Sequence, residues 1–263
     1  MKPPIYDPAW PPDVQSLYRH DMAEIWDRSI APNVWNQYHN QLDIYVRLAD
    51  GAGALDVLDV GCAQGTLALL LAERGHNVCA MDIRQPFLDY AASRHERGNV
   101  RFFCGNVMDS SPGGRYDLIF ANQIIEHLVY PLEFVSRLSA LLNPGGRLIV
   151  ATPNGDYAKN ALPAFGEIGD PANHVASQFS ADGDGHFFAY RAQELLPIFA
   201  AAGLNTRLEF FETPWISGHM KVRYLHRIVP VIALRGLDRI TLRLPGLGRW
   251  LAHQLMIVGT RPA

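Results

Sequence analysis

From Leu55 onward the chain alternates short β-rich runs with amphipathic helical patterns, and that alternation leaves few folds open. Strands are expected at Leu55–Val60, Asn77–Asp82, Val100–Cys104, Tyr116–Ala121, Arg147–Thr152, Leu204–Phe211 and His253–Thr260. Helical patterns fill the gaps at Thr66–Arg74, Pro86–Glu96, Pro131–Leu142 and Arg191–Gly203, and Asn143-Pro144-Gly145-Gly146 reads as a turn. Strand–helix alternation of this kind is the pattern of a doubly wound parallel sheet. In such sheets ligands sit beyond the carboxyl ends of the strands, where the winding reverses. Ahead of the alternation, residues 1–50 carry six prolines and two helical stretches, near 13–30 and 33–49, and read as a helical cap. The expected organisation is therefore this cap, an α/β core over 51–213 and 253–263, and an insertion over 214–252.

The first strand runs into Leu58-Asp59-Val60-Gly61-Cys62-Ala63-Gln64-Gly65-Thr66, a glycine turn that opens a helix. Gly61 lets backbone approach a ligand, and Gly65 starts a helix whose free N–H groups suit a carboxylate or a phosphate. Asp59 lies inside the turn as a partner for an ammonium group. Asp82 closes the second strand, where a carboxylate can accept both hydroxyls of a ribose. A dinucleotide would ask for GxGxxG, whereas Gly61 and Gly65 stand in GxxxG spacing, and Asp59 would repel a phosphate.

In these residues the chain resembles the class I S-adenosylmethionine-dependent methyltransferases, particularly the branch with the ubiquinone-biosynthesis O-methyltransferases. The resemblance rests on Leu58–Thr66, Asp82, Gly105-Asn106-Val107, Tyr116–Leu128 and Leu142–Asn154, in that order. It implies a Rossmann-like seven-stranded sheet with an antiparallel last strand, and S-adenosylmethionine as cofactor, released as S-adenosylhomocysteine. It also implies that Asp59, Gly61, Cys62 and Gly65 surround the methionyl end and that Asp82 binds the ribose. Ile83 would pack on the adenine, Asn106 and Val107 would meet its edge, and Asn122 would face the methionyl portion. Asn106 departs from the family, which commonly has aspartate there, but an amide oxygen can still accept a hydrogen bond.

Methyl transfer from a sulfonium is an in-line displacement, so the protein mainly orients the acceptor, excludes water and removes a proton. Histidines suit that last task near neutral pH. His127, in Gln123-Ile124-Ile125-Glu126-His127-Leu128 after the fourth strand, is the first candidate; His174 and His186, in or beside the Gly- and Asp-rich stretch 153–185, are the others. Some members of the branch carry Glu-x-x-Glu-His at this point and bind Mg²⁺. Here the motif reads Gln123-x-x-Glu126-His127, a poor set for a cation that favours charged oxygens, and no metal is expected.

Net charge is −3 and the pI about 6.3, so no global basic field recruits nucleic acid, and none is expected as partner. Cys62, Cys79 and Cys104 lack CxxC spacing and read as reduced core residues of a cytoplasmic protein. The opening Met1-Lys2-Pro3-Pro4 lacks the apolar run of a signal peptide, and no stretch reaches the roughly 18 apolar residues of a spanning helix. Aromatics of the cap (Trp26, Trp35, Tyr38, with His39) and of the loop and late helix (Phe165, Phe179, Phe187, Phe188, Tyr190) could wall an apolar pocket. Between Ser217 and Ala263 the chain has eight Lys/Arg and a single acid, Asp238, interleaved with Ile, Val and Leu. That pattern fits a substrate lid with a solvated basic face, a peripheral membrane contact or lipid-linked acceptor, or an oligomer interface. The expected activity is O-methylation of a small-molecule, lipid or glycan acceptor. N- or C-methylation, or a cofactor-binding subunit without turnover, stay open, as does the oligomeric state.

Overall fold

In the computed structural model, residues 1–51, 53–177 and 188–263 are described. The strands are β1 (Asp56–Val60), β2 (Asn77–Asp82), β3 (Asn99–Cys104), β4 (Tyr116–Asn122), β5 (Leu142–Pro153), β6 (Asn205–Phe211) and β7 (Gln254–Thr260). The helices are α1 (Pro12–Asp21), α2 (Pro32–Ala49), α3 (Thr66–Glu73), α4 (Gln85–Ser93) and α5 (Pro131–Ala140). They continue with α6 (Ala192–Ala201), α7 (Pro214–Ser217), α8 (Val231–Arg243) and α9 (Leu247–Leu251). Strand order is β3-β2-β1-β4-β5-β7-β6, and β7 runs antiparallel to both of its neighbours. The chain divides into two compact units, Met1–Gly113 with Pro214–Leu237 and Gly114–Thr213 with Asp238–Ala263.

In the first unit β1, β2 and β3 are parallel and in step, with Val60 beside Met81 and Asp82 beside Cys104. Their carboxyl ends therefore emerge together, which brings the glycine turn, Asp82 and Gly105 to one edge. Buried Val57, Leu58 and Val60 make β1 apolar on both faces, as a covered parallel strand must be. Gly65 is required twice over. Its φ is +75°, and a Cβ there would stand 2.7 Å from the Cβ of Ala91 on α4.

The cap packs on α4 through Val14 and Leu17 of α1 against Phe87 and Tyr90, with Trp10, Tyr18 and Ala63 around them. The single helix expected near 13–30 is instead α1 followed by a π-helical turn, Met22–Trp26, closed by the Asp27 N–H on the Met22 carbonyl at 2.7 Å. Widening the helix carries the Trp26 ring to Asp21, whose Oδ2 accepts from Trp26 Nε1 (3.0 Å) and the Tyr90 hydroxyl (2.8 Å). The other Asp21 oxygen meets Arg94 at 2.9 Å, and both side chains are fully buried. Arg94 also donates to the Gln64 carbonyl (2.5 Å) and the Thr66 hydroxyl (3.1 Å). One guanidinium thus ties the glycine turn to the cap. The early part of the insertion joins the same unit, since His226 is buried, its Nδ1 lies 2.9 Å from the Asn36 amide nitrogen, and its carbonyl accepts from Arg28.

In the second unit β4 and β5 are parallel, and β7 lies between β5 and β6. The expected turn at Asn143-Pro144-Gly145-Gly146 is a correction: these residues lie inside β5. Leu142 pairs with Tyr116 and Arg147 with Leu118, so the extra residues bulge out of the ladder. Gly145, at φ +75°, sends its N–H back to the Arg261 carbonyl, and Arg261 N–H returns to Gly146, which closes the bulge. Phe188 and Tyr190, expected among the pocket aromatics, are buried against Phe165 as core; Phe179 and Phe187 lie outside the described residues.

Removing one member of the buried pair leaves the other charge unpaired in a dry site, which costs about 3–5 kcal/mol. Asp21→Ala should lower unfolding stability by about that much, measured by urea denaturation. The double change Asp21→Leu with Arg94→Met should cost less than the sum of the two single changes, whereas additive losses would show that the two charges do not depend on each other.

Candidate cofactor site

The glycine turn is built by backbone that only a few residues tolerate, with φ of +68° at Gly61, +46° at Ala63 and +75° at Gly65. Gly61 and Cys62 both donate to the Met81 carbonyl (2.7 and 3.0 Å), and Gly65 donates to Cys62 (2.7 Å). The turn is thereby laced to β2, and these N–H groups are spent on the fold. Ala63 carries the strain, about 1–2 kcal/mol for an L-residue in this region. Its N–H donates to Asp82 Oδ2 at 3.0 Å.

Asp82 is almost wholly buried, with its second oxygen accepting from the Arg84 N–H (3.0 Å) and facing Arg84 Nε at 3.5 Å. Arg84 lies flat on Phe87, 3.6 Å from the ring centre. Ile83, between them, keeps 40 % of its surface in solvent. The Asp82 carbonyl accepts from Gly105 at 3.0 Å, which places the Gly105-Asn106-Val107 turn beside it. Asn106 uses its side-chain oxygen on the Met108 N–H (3.0 Å) and its carbonyl on Asp109 and Ser110, so it shapes its own turn; Val107 is buried.

Asp59 is also buried; burial, then the neighbouring Asp82, pushes its carboxyl up to about 7, against the N–H of Ala68 on α3 that it accepts. The carboxyl therefore caps α3. Burial, then Asp59 and Asp82, pushes the Cys62 thiol up as well, which leaves it a packing residue. Sequence reasoning passed over Gln64, whose Nε2 donates to Glu24 (2.7 Å) and to the Tyr38 hydroxyl (3.0 Å). Burial pushes Glu24 up to about 7 despite the Gln64 bond. The available signal was an amide inside a glycine turn; nothing in the cap sequence marks Glu24 or its π-helical turn.

In the second unit Asn122 ends β4 with its Oδ1 buried and without a hydrogen-bond partner among the described residues. Gln123 follows at φ +55° and donates to Gln254 at 2.8 Å. Glu126 is fully buried and pushed up to about 8 by burial, while accepting from Thr152 at 3.0 Å. His127 closes the short 3₁₀ turn Ile125–His127, half-buried, with its N–H on Ile124. His174 lies in the 3₁₀ turn Pro171–Ser177, with Nε2 3.2 Å from the Ile168 carbonyl; His186 lies outside the described residues. Among the described residues no three His, Cys, Asp or Glu stand together as a metal ion would need.

Glu24, Asp59 and Glu126 all hold protons more tightly folded than unfolded. The stability they contribute is complete below about pH 4 and is lost as pH rises through about 7 to 8. The melting temperature should therefore fall between pH 5 and pH 8. Glu24→Gln should flatten that fall, gaining about 1–3 kcal/mol on the wild type at pH 8 relative to pH 5. Identical melting profiles of the two proteins would remove Glu24 from the buried titrating set.

Against known proteins, residues 18–209 match the family model described as a methyltransferase domain. A probable S-adenosylmethionine-dependent methyltransferase of Mycolicibacterium smegmatis is 33% identical over 123 residues, 46% of each chain. A ubiquinone biosynthesis O-methyltransferase of Bradyrhizobium diazoefficiens is 31% identical over 123 residues, 46% of this chain and 49% of that one. The alignments thus span about half the length of these relatives. The N-methyltransferase NodS of Bradyrhizobium japonicum, solved with S-adenosyl-L-homocysteine, shares the fold at TM-score 0.57 and 15% identity, over 95% of this chain and 98% of that one. With residues 18–209 matched and strand order 3-2-1-4-5-7-6 in place, the chain belongs to the methyltransferase-domain family.

Proposed function

We propose that the protein transfers a methyl group from S-adenosylmethionine to a hydroxyl of a small-molecule, lipid or glycan acceptor. The observation that carries this reading is Asp82, a carboxylate closing β2 and held against the glycine turn by the Ala63 N–H. The residues present suit the cofactor. It brings a sulfonium and an ammonium, and the turn is flanked by the carboxyls of Asp59, Asp82 and Glu24. Asn122 ends β4 with a side-chain oxygen that accepts no hydrogen bond among the described residues. In this reading Asp82 takes the ribose hydroxyls and Ile83 supports the adenine, while Asn106 and Val107 meet its edge. Gly61, Cys62 and Gly65 with Asp59 surround the methionyl end, and Asn122 serves the same portion.

When bound, the cofactor supplies an already activated methyl group. What this chain adds is order, a dry setting and a proton acceptor. His127 is the residue proposed to take the acceptor's proton, with His174 and His186 as further candidates. The hydroxyl preference draws support from the ubiquinone biosynthesis O-methyltransferase relative, 31% identical over 123 residues. Cell extract incubated with methyl-labelled cofactor tests the whole reading, because a subunit that only bound the cofactor would label nothing. The bond formed by the labelled methyl then separates O- from N- and C-transfer.

Asp82→Ala should weaken S-adenosylmethionine binding at least ~tenfold, since a charge-assisted hydrogen bond contributes about 1.5–3 kcal/mol. Calorimetry on a variant that melts as the wild type checks this, and unchanged affinity would take Asp82 out of the site. His127→Ala should lower kcat by about 10²–10⁴ while cofactor affinity stays within a few fold, and the pH–rate limb near the histidine range should vanish. A loss of melting temperature with kcat per folded molecule kept would instead make His127 a structural residue.

A further inference from the structure

Helix α8 carries several large aliphatic side chains that stay exposed to solvent. Leu234, Asp238 and Thr241 turn inward, with Leu234 at 0 % exposure. On the outer side Ile232 is 75 %, Leu237 41 %, Ile240 60 % and Leu244, one residue past the helix, 46 % exposed. Leu237, Ile240 and Leu244 follow one another at steps of three and four, which puts them in one stripe along the helix. Arg239 and Arg243 border this stripe, also exposed, one residue before Ile240 and Leu244. The only acid of the segment, Asp238, is folded away from this face. It is buried and accepts from the Thr213 N–H (2.8 Å) and hydroxyl (2.7 Å). The outer face of α8 is therefore apolar and purely cationic.

Large aliphatic side chains held in water beside arginines are costly unless something receives both. A second copy of this chain is a poor recipient. Symmetric pairing of the face would set Arg239 and Arg243 against their own copies, with no carboxylate to separate them. An anionic bilayer surface supplies both halves of the match, since acyl boundary takes the aliphatic side chains while lipid phosphates take the guanidinium groups on their long stems. No helix among the described residues is long and apolar enough to cross a membrane, so the contact is one that lies in the interface.

We propose that α8 is a membrane-docking helix that seats Ile232, Leu237, Ile240 and Leu244 at an anionic bilayer, with Arg239 and Arg243 on the headgroup phosphates. The inference rests on the exposure and charge of α8 alone and stands apart from the methyl-transfer reading.

The test uses the full chain and sedimentation with vesicles of neutral phosphatidylcholine, with or without about 30 % anionic phosphatidylglycerol. Binding should be at least ~tenfold stronger to the anionic vesicles and should weaken as salt rises from about 0.1 to about 0.5 M. Ile232→Ser with Ile240→Ser should cut it at least ~tenfold, and Arg239→Glu with Arg243→Glu likewise, with melting temperature and S-adenosylmethionine affinity unchanged. Ile240→Trp provides a measure that does not depend on loss of binding, because its added fluorescence should shift to the blue and be quenched by lipids brominated in the acyl chains. Absence of vesicle binding by the wild type, double variants that bind anionic vesicles as strongly as the wild type, or an unquenched Ile240→Trp overturns the proposal. So does a wild-type dimer that dissociates with Ile232→Ser and Ile240→Ser, which would assign the face to a second copy. Cofactor binding lost in the wild type itself would overturn the methyl-transfer reading and leave the vesicle result standing.

Discussion

A single buried guanidinium, that of Arg94, holds the first unit's working parts together. It ends α4, pairs with Asp21 at the end of α1, and donates to Gln64 and Thr66 on either side of Gly65. Two charges in a dry site are tolerated only when nearly every lone pair and proton has a partner, and Asp21 is accordingly also bonded by Trp26 and Tyr90. This demand accounts for the π-helical turn that brings Trp26 round, and for the contact of the cap with a turn that follows it by some forty residues. Geometry at the glycine turn is thereby set from three sides at once, by β2, by α4 and by the cap.

The same unit concentrates acids. Asp59 caps α3, Asp82 grips Ala63, and Glu24 is drawn to Gln64. Asp59 and Glu24 are desolvated, so their charges are expensive unless a cation arrives. An environment of this kind favours a ligand with positive groups over one with phosphates. That preference agrees with a turn in which Gly61 and Cys62 have already given their N–H groups to Met81. The Gly61 and Cys62 N–H groups are thus less available to a carboxylate or phosphate than glycine spacing alone implies.

The insertion behaves as two different things along its length. Its first part is structural, because His226 is sunk against Asn36 and Arg28 holds its carbonyl. Its later part, α8, shows an apolar and cationic face with its one acid withdrawn to Thr213. Basic amphipathic sequence did not distinguish these, since both stretches mix Arg with Ile and Leu in similar proportion.

Period and punctuation are local properties, and they made most of the core legible. The strand–helix alternation, the glycine turn after β1 and the acid closing β2 each follow from a few consecutive residues, and the family resemblance adds Gly105-Asn106-Val107, Tyr116–Leu128 and Leu142–Asn154 to these. Positions where the chain departs from the reading depend on partners distant in sequence. Asn143–Gly146 bulges inside β5 because Arg261 bonds across to Gly145 and Gly146. The 13–30 helix changes pitch because Asp21 must be satisfied within a buried pair. Ala63 adopts a glycine's φ because Asp82 waits for its N–H, and Phe188 and Tyr190 are core because Phe165 lies against them. Sequence alone determined the kind of sheet and the strand ends at which the glycine turn and Asp82 gather. Tertiary structure decided which polar groups are free for a ligand and which are spent on the fold, because that depends on desolvation and on hydrogen bonds between residues that only folding brings together.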